Sequence, residues 1–208
     1  GQGHAAVLDP HLVAVVVGLS GCRATTRNTR LRPEAVLLPP GSTLAVVPFE
    51  NLSSSRNAGL AVTDLAASVL YAHDYFRVLE VSSLQDDPEV RFRRVETAPW
   101  ERQLGVNPAA ASAVGRALKA DCVLAGVVGE YGHVDGFGET AAVSLTVRLV
   151  RSPNAEVVWA GSSSRRVSSF AFGEESAQRL AHEILRDLLA RMVRDLTIQN
   201  RMRVQAEK

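Results

Sequence analysis

The residues whose types and spacing most clearly indicate chemistry are Leu19, Ser20, Gly21 and Cys22, four consecutive positions near the amino terminus. They follow directly on an apolar run, residues 12–19. An apolar run of this length that ends in small residues is typical of a secretory signal with its cleavage site. It is too short to remain as a membrane-spanning helix. The sequence therefore predicts a secretory signal that ends close to Cys22.

The order Leu-Ser-Gly-Cys resembles the lipobox of bacterial lipoproteins, in which the cysteine is acylated. The resemblance implies a signal peptide over residues 1–21 and acyl chains on Cys22 that anchor the mature protein to a bilayer. In such lipoproteins Asp after the cysteine commonly signals inner-membrane retention, and here that position is Arg23. This implies an outer-membrane lipoprotein. The alternative is a buried strand with an unmodified cysteine, and the absence of Lys and Arg from residues 1–11 favours it.

Catalytic motifs are missing from the sequence, which contains no HExxH, CxxC, Walker loop or GxSxG pattern. His133 and Asp135 share one hairpin, but two candidate ligands without a third predict a solvated loop rather than a metal site. Cys122 lies in an apolar run and is predicted to be a small buried side chain rather than a reactive thiol. The sequence therefore predicts a protein that is not an enzyme and that uses no metal and no cofactor.

The charges nearly cancel, with 23 Lys and Arg against 22 Asp and Glu. Because the basic residues form no block, we expect no nucleic-acid binding. Residues 22–42 are polar, contain three prolines and show neither a helical nor a strand period. They are predicted to be a flexible tether that lets the folded body stand off the bilayer.

Hydrophobic periodicity predicts the elements of the folded body. One helix is predicted to begin at Asn107-Pro108, because this pair combines a preferred cap residue with proline at the first helical position. The predicted strands cover residues 43–49, 76–81, 123–131, 141–150 and 156–163. Three helices are predicted: the first begins near residue 57, the second covers 108–119 and the third covers 174–196.

This order, βαβαβββα, predicts an α/β fold in a single domain over residues 43–198, followed by a polar carboxyl-terminal tail over 199–208. Strands joined by helices are expected to pair in parallel, and the last three are expected to form an antiparallel meander. The sheet is therefore predicted to be mixed, mostly antiparallel and five-stranded, with helices packed on it.

Several segments of the body resemble a known group of lipoprotein domains. "TLAVVPFENLSS" with the later "FRVLE" resembles the opening of domains of the CsgG, LpoB and TolB amino-terminal type. "KADCVLAGVVGEY", "GETAAVSLTVRLV" and "AEVVWAGSSSRR" resemble the PelC family, the outer-membrane lipoproteins of Pel exopolysaccharide export. The resemblance covers residues 44–189 and the lipobox.

The resemblance to PelC implies a homo-oligomeric ring at the periplasmic face of the outer membrane. Such a ring lies beneath an outer-membrane export barrel protein, and its acidic surface guides a cationic polysaccharide. Glu130, Asp135 and Glu139 cluster around one hairpin and are our candidates for the polymer-facing acidic residues. Trp159 is our candidate for membrane contact, because tryptophan favours the lipid interface, and Trp100 is a weaker one.

Two other functions are compatible with the same resemblance. An LpoB-like lipoprotein activates a cell-wall synthase as a monomer, and the short tether counts against it. A CsgG-like secretion component needs segments that form transmembrane strands, and the sequence offers no spare alternating pair of about ten residues.

Overall fold

A computed structural model describes residues 24–32, 38–80, 105, 107–134, 140–168 and 177–206. Within these residues the chain forms seven strands and three helices. The strands are β1 (Ala24–Leu31), β2 (Thr43–Val46), β3 (Glu50–Asn51), β4 (Arg77–Glu80), β5 (Cys122–Val134), β6 (Thr140–Arg151) and β7 (Val157–Ser168). The helices are α1 (Ala58–His73), α2 (Pro108–Ala117) and α3 (Ala177–Ala206).

The strands form one mixed sheet in the order β1-β7-β6-β5-β2-β4, and β3 pairs with β5 beyond the end of β2. The pairs of β2 with β4 and of β2 and β3 with β5 are parallel. The pairs β5–β6, β6–β7 and β1–β7 are antiparallel. The predicted mixed α/β sheet with packed helices is confirmed, with seven strands instead of five.

Apolar residues lie on both faces of the sheet because strand side chains alternate between the faces. The larger core lies under α1 and α3, and its fully buried members include Leu124, Leu145, Leu149, Leu185 and Leu188. The smaller core lies under α2 and consists mainly of Ala and Val. The predicted start of α2 is confirmed, since the Asn107 side chain accepts hydrogen bonds from the amides of Ala109 and Ala110.

The expectation that residues 22–42 lack strand structure is wrong for β1. Its side chains alternate, so that Arg27 and Leu31 lie on the α3 side of the sheet, where Leu31 packs against the larger core. Polar, β-branched threonines suit a half-exposed edge strand. The polar composition of this segment is typical of a tether, but the segment forms a strand because all eight residues of β1 pair with β7.

Helix α3 also continues beyond residue 198, where the polar tail was predicted to begin. Gln199 is buried and donates to the Arg32 carbonyl at 3.2 Å. Asn200 donates to the Leu38 carbonyl at 3.0 Å and to the Tyr75 hydroxyl at 2.7 Å. These polar residues continue the helix because each donates to a backbone carbonyl that is distant in sequence, which the hydrophobic pattern does not reveal. The predicted division of the chain at residues 22, 43 and 199 otherwise stays a prediction.

Candidate functional site

One end of the sheet gathers the residues nearest to the predicted lipidation site. Ala24 pairs with Arg166, Arg166 with Ala142, and Ala142 with Gly132, so these four residues form one row across β1, β7, β6 and β5. We call this end the hairpin end, because the β5–β6 connection leaves the sheet there. Cys22 lies outside the described residues, two positions before Ala24.

Glu130 lies near the hairpin end and forms an ion pair with Arg166. Arg166 Nη2 donates to Glu130 Oε1 at 2.7 Å, and both side chains are substantially exposed, at 57% and 40%. Glu130 is on β5 and Arg166 on β7, so the contact crosses the small side chain of Ala142 on β6. The charge of this acidic candidate is therefore locally compensated, in an ion pair of a kind that adds little stability.

The other two acidic candidates, Asp135 and Glu139, lie outside the described residues. The strand ends that flank them, Val134 and Thr140, are paired with each other. The structure thus brings Glu130 to the same end of the sheet as these flanking residues. Whether the three acids face a polymer stays a prediction.

A cluster of two arginines and two carboxylates joins the edge strand β1 and its neighbour β7 to α3. Arg27 donates to Asp187 at 2.6 Å, and Arg165 donates to Glu183 at 2.7 Å and to Asp187 at 2.5 Å. All four side chains are less than one third exposed. Because both arginines share Asp187, the cluster fixes β1 and β7 against one turn of the helix.

A cavity of about 250 Å³ opens beside this cluster. It is lined by Thr25, Arg165, Arg166, Val167, Leu180 and Glu183. Each charged residue of this described lining is paired, Arg165 with Glu183 and Asp187, and Arg166 with Glu130. The arrangement is suited to holding a strand in place rather than to catalysis.

The prediction that Trp159 contacts the membrane is wrong. Its side chain is fully buried, and its indole N–H donates to Asp195 Oδ2 at 3.1 Å. Position 159 shares a face with Gly161 and Arg165, and that face is covered by α3. The alternation of strand side chains therefore directs the ring into the core. Trp100 lies outside the described residues.

Cys122 is buried and has no disulfide partner among the described residues, which confirms its prediction as a core residue. Burial raises the pKa of its thiol, an effect that the nearby carboxylate of Asp121 reinforces. A raised pKa keeps the thiolate, the nucleophilic form, out of reach at neutral pH. The geometry thus offers no reactive thiol at this position.

Within the part of the chain that the structure describes, no three His, Cys, Asp or Glu side chains are grouped as metal ligands would be. In those same residues, no helix is both long and apolar enough to cross a bilayer.

A polar surface lies on the side of the sheet opposite α3. Two rows of hydroxyl and amide side chains lie there, half-buried or exposed: Asn28, Ser162 and Thr146 in one, Thr26, Ser164 and Ser144 in the other. The alternation of Ser144 and Thr146 with apolar residues in β6 was a usable signal for this open face. No local signal pointed to the Arg27–Asp187 pair, whose members are 160 positions apart.

Comparison with protein families finds no match, and comparison with curated proteins finds none. Solved structures do match. The PelC dodecamer of Paraburkholderia phytofirmans is 21% identical, with 80% of this chain and 95% of that chain covered and a TM-score of 0.56. Lipoprotein GNA1162 of Neisseria meningitidis is 22% identical over 75% of this chain and 98% of that chain, at a TM-score of 0.50. The chain therefore shares the fold of PelC-like lipoproteins, as the sequence resemblance predicted.

Proposed function

We propose that this chain is an outer-membrane lipoprotein that is anchored by acylated Cys22 at the periplasmic face. It assembles into a homo-oligomeric ring that assists export of a cationic exopolysaccharide through an outer-membrane barrel protein. The observation that carries the proposal is the fold shared with PelC, a dodecamer, over 80% of this chain. A role as a binding and assembly protein rather than an enzyme agrees with the buried, unreactive thiol of Cys122. It also agrees with the ion cluster around Asp187, in which two arginines and two carboxylates neutralise each other.

A ring supplies the physical advantage that a single protomer lacks. With a formal net charge of +1, the chain has no overall acidity with which to attract a polycation. Repetition of a few carboxylates around a closed ring sums their fields at the centre and raises the local concentration of a cationic polymer. Closed rings form through head-to-tail interfaces whose two surfaces differ and complement each other.

Native mass spectrometry of the lipoprotein extracted in mild detergent tests the assembly. We expect a species many times heavier than the protomer, together with acyl mass on the amino-terminal peptide. The matched control is Cys22→Ser, which removes the acylation site and releases the protein from the membrane fraction. A wild-type protein that is acylated and membrane-bound but monomeric would contradict the ring and would favour an LpoB-like activator instead.

A further inference from the structure

Helix α3 separates its acidic side chains from its basic ones. Each of its three carboxylates contacts the sheet: Glu183 and Asp187 pair with Arg165, and Asp195 accepts from the Trp159 indole. The charged side chains of α3 that are exposed are all arginine or histidine: Arg179, His182, Arg186, Arg194 and Arg201. The outer surface of α3 is therefore basic, although the whole chain has a formal net charge of only +1.

One flank of this surface lies along the β1 edge of the molecule. Arg191 Nη1 donates to the Thr29 hydroxyl of β1 at 3.5 Å, which identifies the side of the helix that faces this edge strand. Arg194, Ile198 and Arg201 follow Arg191 at helical spacing and lie on the same flank. Arg194 and Arg201 are exposed, and Ile198 is 47% exposed. We call Arg194, Ile198 and Arg201 the basic flank.

Helix α1 has the opposite charge and lies at the other edge of the sheet. It contains no Lys or Arg, whereas it carries Asp64 and is followed by Asp74 as its C-cap. Leu60, Asp64 and Tyr71 share one stripe of the helix, and Leu60 and Tyr71 are both more than half exposed. Because α1 packs on α3 and on the β2–β4 side of the sheet, its exposed stripe is turned away from α3. We call Asp64, Tyr71 and Asp74 the acidic flank.

The two flanks lie at matching heights along the strands. Helix α1 connects the parallel strands β2 and β4, so it begins at the hairpin end and runs away from it. Helix α3 runs the same way, since Glu183 contacts Arg165 whereas Arg191 contacts Thr29, which is farther from the hairpin end.

The contact between Asn200 and Tyr75 sets the relative height of the two helices. Asn200 Nδ2 donates to the Tyr75 hydroxyl at 2.7 Å. At about 1.5 Å per residue, Tyr71 is then level with roughly residue 196, between Arg194 and Ile198. Asp74 is level with roughly residue 199, which is about 3 Å from the height of Arg201.

We infer that the basic flank of one protomer docks on the acidic flank of a second copy of this chain. This inference rests on the proposed ring and names the two surfaces that close it. Two different surfaces at opposite edges form a head-to-tail contact, which is the kind that generates rings. A rotation about an axis parallel to the strands keeps every residue at its height. Tyr71 of one copy then meets Arg194 and Ile198 of the next, and Asp74 meets Arg201.

The chemistry of the two flanks suits this contact. The Tyr71 ring offers Ile198 an apolar surface and offers the Arg194 guanidinium an aromatic face. The Asp74–Arg201 pair fixes the height of one copy against the other, since charge pairs at an interface contribute mainly specificity. Docking also covers arginines that would otherwise repel a cationic polymer.

Disulfide trapping tests the contact in the detergent-extracted lipoprotein. The double variant Tyr71→Cys with Ile198→Cys is oxidised and separated on a denaturing gel. These positions lie on opposite flanks of the helix pair within one protomer, so a disulfide between them joins two copies. The matched control is Leu60→Cys with Ile198→Cys, because Leu60 lies about 16 Å from Tyr71 along the same stripe. The wild-type protein, in which Cys122 is buried, is the blank.

We expect a ladder of cross-linked multiples, with about tenfold more product than in the control, because a disulfide requires Cα atoms within about 7 Å. Native mass spectrometry before oxidation gives the assembly state of the same sample. A ring that cross-links no better than the control would overturn this interface and leave the ring. A monomer before oxidation would overturn the proposed ring as well.

Charge reversal provides a test without cysteines. Arg194→Glu places a carboxylate against the acidic flank, so the protein concentration at half assembly should rise by about tenfold or more. Arg186→Glu makes the same charge change on α3 outside the basic flank and is the matched control. A rise for Arg194→Glu no larger than that for Arg186→Glu would overturn the docking.

Discussion

At the scale of single residues, Trp159 shows how one side chain organises the interior of β7. Its six-membered ring lies over Gly161, two positions along the same strand and on the same face. A Cβ at position 161 would lie 2.3 Å from Cη2 of the indole. The glycine is therefore required by the close approach of the ring, and the ring in turn is held by its hydrogen bond to Asp195.

Gly161→Ala should lower the free energy of unfolding by about 1–3 kcal/mol, because the added methyl group displaces the buried indole. Urea denaturation followed by tryptophan fluorescence measures the change. The control is Gly129→Ala, whose new Cβ would lie 3.5 Å from Ser144 Oγ at an exposed position. This control should stay within about 0.5 kcal/mol of the wild type. Equal stabilities of the two variants would contradict the packing of Trp159 over Gly161.

At the scale of elements, the contact between β1 and α3 determines whether the amino-terminal segment is a tether or part of the domain. Edge strands present one row of unpaired backbone groups, so side-chain contacts contribute more to keeping them in the sheet. Asp187 supplies that hold, since it accepts from Arg27 of β1 and Arg165 of β7. Hydrogen bonds to charged groups typically contribute about 1.5–3 kcal/mol each.

Asp187→Asn should loosen β1 more than any other strand, because the amide has no charge to attract the two arginines and has only one oxygen that can accept from them. Amide hydrogen exchange of residues 24–31 should accelerate by about tenfold or more, while exchange in β6 stays close to wild type. Glu130→Gln breaks an exposed ion pair on the other side of the sheet and serves as the matched control. The interpretation is wrong if both variants leave the exchange of β1 unchanged.

At the scale of the whole molecule, function in the proposed ring depends on where charges lie rather than on their sum. Glu130 is opposed by Arg166 at 2.7 Å, so it contributes less field than an isolated carboxylate. Exposed charges are screened beyond roughly 8–10 Å at physiological ionic strength. Any guidance of a polycation is therefore collective, summed over several acids and many protomers.

The combined variant Glu130→Gln, Asp135→Asn and Glu139→Gln should reduce polymer export, whereas each single change should have little effect. Export is measured as secreted polysaccharide per cell, with membrane-bound protein quantified in parallel. Arg166→Gln provides a control of opposite sign, because it frees the Glu130 carboxylate and should maintain or raise export. Normal export by the triple variant would assign the acidic surface to other residues.

Local patterns along the chain were sufficient for much of this description. Apart from β1 and the short β3, the order of strands and helices follows from apolar spacing, and the cap at Asn107 was identified from two adjacent residues. The burial of Cys122 likewise follows from its apolar neighbours. Such features depend on residues only a few positions apart, whose interactions are the same in any fold that contains the element.

Only the tertiary structure decided the role of β1, the orientation of Trp159 and the reach of α3. Each depends on register between distant segments: Ala24 pairs with Arg166, Arg27 contacts Asp187, and Gln199 contacts Arg32. A shift of one residue in strand register would have placed Trp159 on the other face of the sheet. The amino-acid sequence by itself determined most of the elements and the predicted position of an anchor, whereas long-range pairing determined that the segment beginning at Ala24 is a strand of the sheet.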